Sequence, residues 1–210
     1  MTTISPELQT ILVERARPHY TDALPYHNWA HAQDVMQSAA SIVLRSISPE
    51  VVRNGPLIAI GTAWHDADYH LEDLGDYSTK EERSAELAVR SLPELNTQQL
   101  DVIYSAIIDT TVEKKVKDSL TGEVVHAGDL GYFAAPHPHF MHRLGLMREE
   151  WGSPSWGITV ERTVAFGGHV ITEAQKVMPQ LLNAEDADAW VLAIESNLVA
   201  LQQKYDTGEL

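Results

Sequence analysis

The run Leu57-Ile58-Ala59-Ile60-Gly61-Thr62-Ala63-Trp64-His65-Asp66 constrains this chain more than any other stretch. As a helix it is apolar almost all round, and a helix without a polar face is stable only when neighbours cover every side. The rest of the chain must therefore wrap it, and the periodicity elsewhere supplies helices for the purpose. Ser5-Pro6-Glu7 reads as an N-cap followed by Pro at the first helical position, with Leu8, Ile11 and Leu12 at helical spacing, and Pro18 closing the helix. A loop over Thr21–Tyr26 leads to a helix over Asn28–Ser46, whose apolar positions include Val35, Ala39, Ile42 and Val43. The stretch Ala67–Tyr77 is polar and turn-like. A helix starting at Ser78 or Thr79 ends before Pro93, and another covers Thr97–Ile108. Val116–Val125, with Thr121-Gly122 in its middle, reads as a small β-hairpin or a loop. Helices are expected over Asp129–Ala134, Phe140–Trp151, Gly157–Met178 and Ala184–Tyr205, with breaks at Pro136, Pro154 and Pro179. The expectation is an all-α, single-domain helical bundle over residues 1–210, without an obvious linker.

Composition narrows the function. The chain has no cysteine, which excludes disulfides, thiolate zinc sites and a cysteine nucleophile. Thirty acidic residues against 15 basic ones give a net charge of −15. Such a field repels nucleic acid polymers and anionic membrane surfaces. A small phosphorylated substrate stays open, because a bound cation reverses the local field. No apolar run is long enough for a membrane span, and Met1–Pro6 has neither a basic nor an apolar leader region, so a cytoplasmic location is expected. Oligomeric state is not legible.

Three segments carry chemistry. In Pro25-Tyr26-His27-Asn28-Trp29-Ala30-His31 the two histidines stand four apart and share a face if helical; alone, the pair reads equally as two partly exposed histidines at a helix start. His65-Asp66 closes the all-apolar helix, where a buried charged pair is costly unless hydrogen-bonded, ion-paired or metal-bound. Successive side chains lie about 100° apart on a helix, so one ion at its flank can meet both. Asp129, in Ala127-Gly128-Asp129-Leu130-Gly131, reads alone as an N-cap after a glycine turn.

Together these residues give His31, His65-Asp66 and Asp129 in chain order, and with them the sequence resembles the HD superfamily. The strings Tyr26-His27-Asn28-x-x-His31, His65-Asp66-Ala67-x-Tyr69 and Glu81-Glu82-Arg83-Ser84-Ala85, with Arg148-Glu149-Glu150-Trp151, resemble the small predicted metal-dependent HD phosphohydrolases. The likeness runs over 25–151, with C-terminal helices over 157–205 expected to pack on that core. Tyr26–Ala32 also resembles cyclic-nucleotide phosphodiesterases, in which the first His is the general acid and the second a ligand. That pattern departs where it wants a His three residues after the Asp; here Tyr69 stands there, with His70 one step later.

The resemblance implies one divalent metal ion held by His31, His65, Asp66 and Asp129. A nitrogen and oxygen donor set suits Mn, Fe, Co, Ni or Zn, with Mg also admitted. It implies hydrolysis of a small phosphate ester, a nucleotide among the options, by metal-activated water. His27, Asp66 and Glu81 are the catalytic candidates, and His27, Lys80 and Arg148 the substrate-binding ones, with Arg83 a weaker cation. Arg148 is equally a surface residue beside two glutamates, and Glu81 and Glu82 equally belong to capping boxes from Ser78 and Thr79. A di-iron HD oxygenase needs further ligands, for which His70 and His126 are available. The His137-Pro138-His139-Phe140-Met141-His142 cluster reads as a loop-to-helix junction before a second site. A non-catalytic nucleotide-binding module is the remaining class.

Overall fold

The computed structural model describes residues 4–111, 117 and 119–210. These residues form ten α-helices: α1 Pro6–Glu14, α2 Trp29–Arg45, α3 Pro49–Arg53, α4 Gly55–Trp64, α5 Lys80–Ser91, α6 Thr97–Ile108, α7 Leu120–Asp129, α8 His137–Glu150, α9 Trp156–Leu181 and α10 Ala184–Asp206. Short 3-10 turns lie at Arg17–His19 and Leu130–Ala134. Local chemistry sets the starts. Ser5, Asn28, Ser48, Thr79, Asn96, Ser119, Ser155 and Asn183 each use a side-chain oxygen to accept a free first-turn N–H. The chain is an all-α, single-domain bundle, as the periodicity predicts.

Helix α4 lies at its centre, packed against α1, α2, α6 and α7. Leu57, Ile58, Ile60, Gly61, Thr62, Ala63 and Trp64 are all buried, as an all-apolar helix requires. Two apolar clusters flank it. One joins α1, α4, α5 and α6 around Leu12, Ile60, Trp64, Leu92 and Ile107. The other joins α2, α7, α8, α9 and α10 around Ile42, Val125, Phe133, Phe140 and Leu181.

Four segments depart from the sequence reading. Leu120–Val125 is helix, the first part of α7, and neither hairpin nor loop; residues 112–116 and 118 of that neighbourhood lie outside the described ones. Thr121-Gly122 looks like a turn, yet Gly122 is helical, and the glycine is there because the Asp109 carboxylate occupies its Cβ direction: a Cβ would sit 1.8 Å from Asp109 Oδ2. Asp129 ends α7 instead of starting a helix, and caps nothing in the 3-10 turn that follows. Helix α8 begins at His137, so His137-Pro138-His139 forms its first turn, where Pro is at home. Helix α9 runs through Pro179 to Leu181.

Candidate metal centre

The start of α2 and the ends of α4 and α7 converge on one point, each bringing part of the site. At α2, Asn28 is the pivot. Its Oδ1 accepts the N–H groups of Ala30 and His31, while its Nδ2 donates to the carbonyls of Leu24 and Pro25. The incoming loop and the first turn are thus tied together, which places His31 on the inner face. At α4, His65 is the first residue beyond the helix, with its Nδ1 2.8 Å from the Thr62 carbonyl. Donating there leaves Nε2 facing the cluster, the arrangement found around metal-bound imidazoles. The turn after Asp66 is held by Asp68 at φ 60°, a left-handed conformation that Asp tolerates better than most residues. Its N–H donates to His19, and its carbonyl accepts from Arg83 Nη2 at 2.6 Å. At α7, Gly128 lets the helix approach α2: a Cβ there would lie 3.1 Å from both Ala39 Cβ and Val35 O. Asp129 therefore lands beside His31.

The outcome is a tight set. One donor atom from each of His31, His65, Asp66 and Asp129 lies within 4.8 Å of every other. His31 Nε2 is 3.1 Å from Asp129 Oδ1 and 3.4 Å from Asp66 Oδ2. His65 Nε2 is 3.1 Å from Asp66 Oδ2 and 3.5 Å from Asp129 Oδ1. Yet His65 Nε2 is enclosed and aligned for a hydrogen bond with neither carboxylate. A buried nitrogen aimed between two carboxylates without bonding to either fits a cation standing among them. Burial disfavours charge on all four groups, but their mutual contacts outweigh it. His31 and His65 are held above the ordinary imidazole value, and Asp66 and Asp129 below the carboxylate range.

His27 stands next to this set, its ring 5.7 Å from that of His31. Its Nδ1 pairs with Glu150 Oε1, while Glu150 Oε2 accepts the N–H groups of Tyr26 and His27 at 2.8 and 3.0 Å. Burial raises the pKa of Glu150, but these contacts outweigh it and hold the value at about 2. The His27 ring stacks on Tyr69, centroids 3.7 Å apart, and Lys80 Nζ lies 3.6 Å from the other ring's centroid. Lys80 thus reaches His27 only through Tyr69. Glu81 is outside the four-residue set. Its charge, with those of Asp66 and Glu150, adds to burial in pushing the Tyr69 hydroxyl up. The cap at α5 is made by Thr79 and Glu82: Thr79 Oγ1 accepts the Glu82 N–H, and Glu82 accepts the Ser78 N–H.

Other candidates are engaged elsewhere. Arg148 donates from Nε to the Pro154 carbonyl at 2.7 Å and packs 4.8 Å over Trp156, so it is no clamp at the cluster. Arg83 ties the loop after Asp66 through the carbonyls of Asp68, Leu71 and Asp73. His137 meets Asn197, His139 meets Asp34 and His142 is exposed, so the three do not converge. His126 pairs with Glu173, and His70 is exposed. Two residues escaped the sequence reading: Glu150, whose position in Arg148-Glu149-Glu150 gave no cue to face, and Arg143, which lies buried near Tyr26.

No family model matches the chain, and no curated protein does. Among solved structures it is similar to the phosphodiesterase domain of the Salpingoeca rosetta rhodopsin phosphodiesterase. The identity is 15% and the TM-score 0.75, over 98% of this chain and 83% of that one. At this identity the likeness shows a shared fold. No helix among the described residues is long and apolar enough to cross a membrane.

Proposed function

We propose that this protein is a metal-dependent phosphohydrolase of the HD superfamily that cleaves a small phosphate ester. The observation that carries the reading is the enclosed Nε2 of His65, directed between two partly buried carboxylates that His31 Nε2 also approaches. His31, His65, Asp66 and Asp129 would hold one divalent ion, chosen from Mn, Fe, Co, Ni, Zn or Mg. When bound, that ion polarises a phosphoryl oxygen and lowers the pKa of a water.

The chain's own residues do the remainder. His27 is the general acid: with Nδ1 held by Glu150, its Nε2 is left to give a proton to the departing ester oxygen. Glu150 fixes the ring, and Tyr69 covers its face. Asp66 is assigned to take the proton of the attacking water. One phosphorus–oxygen bond forms to that water as the bond to the leaving group breaks, yielding phosphate and an alcohol. Glu81 and Lys80, beyond Tyr69, are assigned to orienting substrate at the rim. Diester cleavage is a second reading, favoured by the fold shared with a phosphodiesterase domain and by the resemblance of Tyr26–Ala32 to cyclic-nucleotide phosphodiesterases.

The test is a panel of phosphate mono- and diesters, nucleotides included, offered to protein reconstituted with each metal. Turnover that needs metal and collapses in His27→Ala is expected. Absence of turnover for every ester and metal, with wild-type protein folded, would overturn the proposal.

A further inference from the structure

A cavity of about 460 Å³ opens between α2, α8, α10 and the 3-10 turn after α7, and it shares His31 and Asp129 with the candidate metal centre. Its walls are mixed: Val35, Ser38 and Ser41 along α2, Tyr132 from the turn and Trp190 from α10. From α8 comes Arg143, which is only 3% exposed. Its Nε lies 3.2 Å from Asp34 in an ion pair, off the line of a hydrogen bond, and its Nη2 is enclosed with no acceptor among the described residues. Asp34 also pairs with His139 at 3.2 Å and is partly open to solvent, so one carboxylate is divided between two donors. The Tyr26 ring links Arg143 to the metal centre, 4.8 Å from the Arg143 guanidinium and 4.5 Å from the His31 ring.

Burying an arginine with an unbonded N–H costs free energy that packing alone does not return. The cost is explained if the guanidinium is kept for an acceptor brought by a ligand. A chain of net charge −15 attracts no anion by its general field, so an anionic ligand needs local cations; this cavity offers Arg143, with Arg45 already paired to Asp186, and would gain the ion once the centre is loaded. We propose that the cavity takes the organic part of the phosphate ester, and that Arg143 selects esters carrying a second anionic group about one small molecule's length from the phosphate. This rests on the phosphohydrolase reading and deepens it: Arg143, and not Arg148, is the guanidinium that meets substrate.

Calorimetric titration of the metal-loaded full chain tests it, with inorganic phosphate, phosphoglycolate and glycerol phosphate as probes. The first reports the metal end alone, and the two esters differ in the second charge. Wild type is expected to bind phosphoglycolate at least about tenfold tighter than glycerol phosphate, the size of one charged hydrogen bond. Arg143→Met should erase that preference and leave the affinity for inorganic phosphate unchanged. A preference that is missing in wild type, or that survives in Arg143→Met, overturns the inference while phosphate binding upholds the metal-centre reading. No binding of phosphate itself overturns both. If Arg143→Met does not fold, Ala193→Trp decides, since it fills the cavity from its α10 wall. Weaker ester binding with unchanged phosphate binding supports the pocket, and unchanged ester binding refutes it.

Discussion

Of the places where this molecule sets a histidine against a carboxylate, two differ sharply in what surrounds the carboxylate. At the convergence of α2, α4 and α7, His31 and His65 are nearly sealed, and Asp66 and Asp129 are withdrawn with them, their side chains 13% and 24% exposed. On α7 and α9, His126 meets Glu173 at 3.2 Å, but the Glu173 side chain is 42% exposed. In the second pair the carboxylate sheds its remaining charge into water, although His126 Nδ1 is enclosed without a partner among the described residues. Its hydrogen bond to His126 is what lowers the Glu173 pKa, against a smaller opposing effect of burial. The first cannot do so: two carboxylates with donor oxygens within 4.8 Å repel, and water is too scarce there to screen them. Geometry explains the difference. Helix ends can point several side chains at one spot, whereas two helix flanks offer one facing pair.

Breaking the two places in parallel gives the largest contrast. Asp129→Ala should lower metal-dependent hydrolysis by a factor on the order of a thousand or more, since removing one partner leaves buried charges uncompensated. His126→Ala should leave hydrolysis within a few-fold of wild type and change stability by about 1 kcal/mol. Steady-state rates and denaturant melts on both variants check this, and equal losses would erase the distinction.

Next in size is Glu150→Gln, which keeps shape but removes the charge facing His27. Turnover should fall by about ten- to a hundredfold, with metal content unchanged. The same residue shapes the acid limb of stability. Its folded pKa of about 2 lies below the ordinary 4.5, so it stabilises the fold above that ordinary value, and this contribution is lost as pH falls toward about 2. Denaturant melts over that window should show a shallower decline in Glu150→Gln than in wild type, and parallel slopes would contradict the assignment.

A smaller effect comes through packing. Gly128→Val puts a branched side chain where even a Cβ is tight against α2, which should cost about 1–3 kcal/mol and loosen the spacing of Asp129 from His31. Weaker metal binding alongside a lower melting temperature is the expected pairing; a lower melting temperature with undiminished metal affinity would uncouple the helix approach from the site. Smallest is Arg148→Ala, expected to cost about 1 kcal/mol through the lost contacts to Pro154 and Trp156, with KM unchanged. A raised KM would return Arg148 to the substrate.

The helices were legible from local signals, whereas the four converging residues were legible as a set only through their resemblance to a family pattern, since Asp129 alone reads as a cap. Proline and cap residues punctuate the helices, and an all-apolar segment ending in His65-Asp66 must bury that pair. What escaped depended on which way a side chain faces across the bundle. Arg148 and Glu150 lie two apart on α8, on different faces, and only the packed helix shows that Glu150 reaches His27 while Arg148 turns to Trp156. Arg143, on the same helix, gave no signal because a lone arginine in an amphipathic stretch reads as surface. Gly122 misled for a related reason: a glycine inside a helix resembles a turn until the Asp109 carboxylate filling its Cβ position is seen.

Metal content by mass spectrometry, on wild type and Asp66→Ala purified and reconstituted side by side, tests the central claim most directly. The account predicts about one divalent ion per chain in wild type and loss of that ion in Asp66→Ala, with His126→Ala retaining it. Wild type that takes up no metal under any reconstitution, or Asp66→Ala that holds it as tightly, would contradict the account and leave His31, His65, Asp66 and Asp129 as a buried ion-pair network.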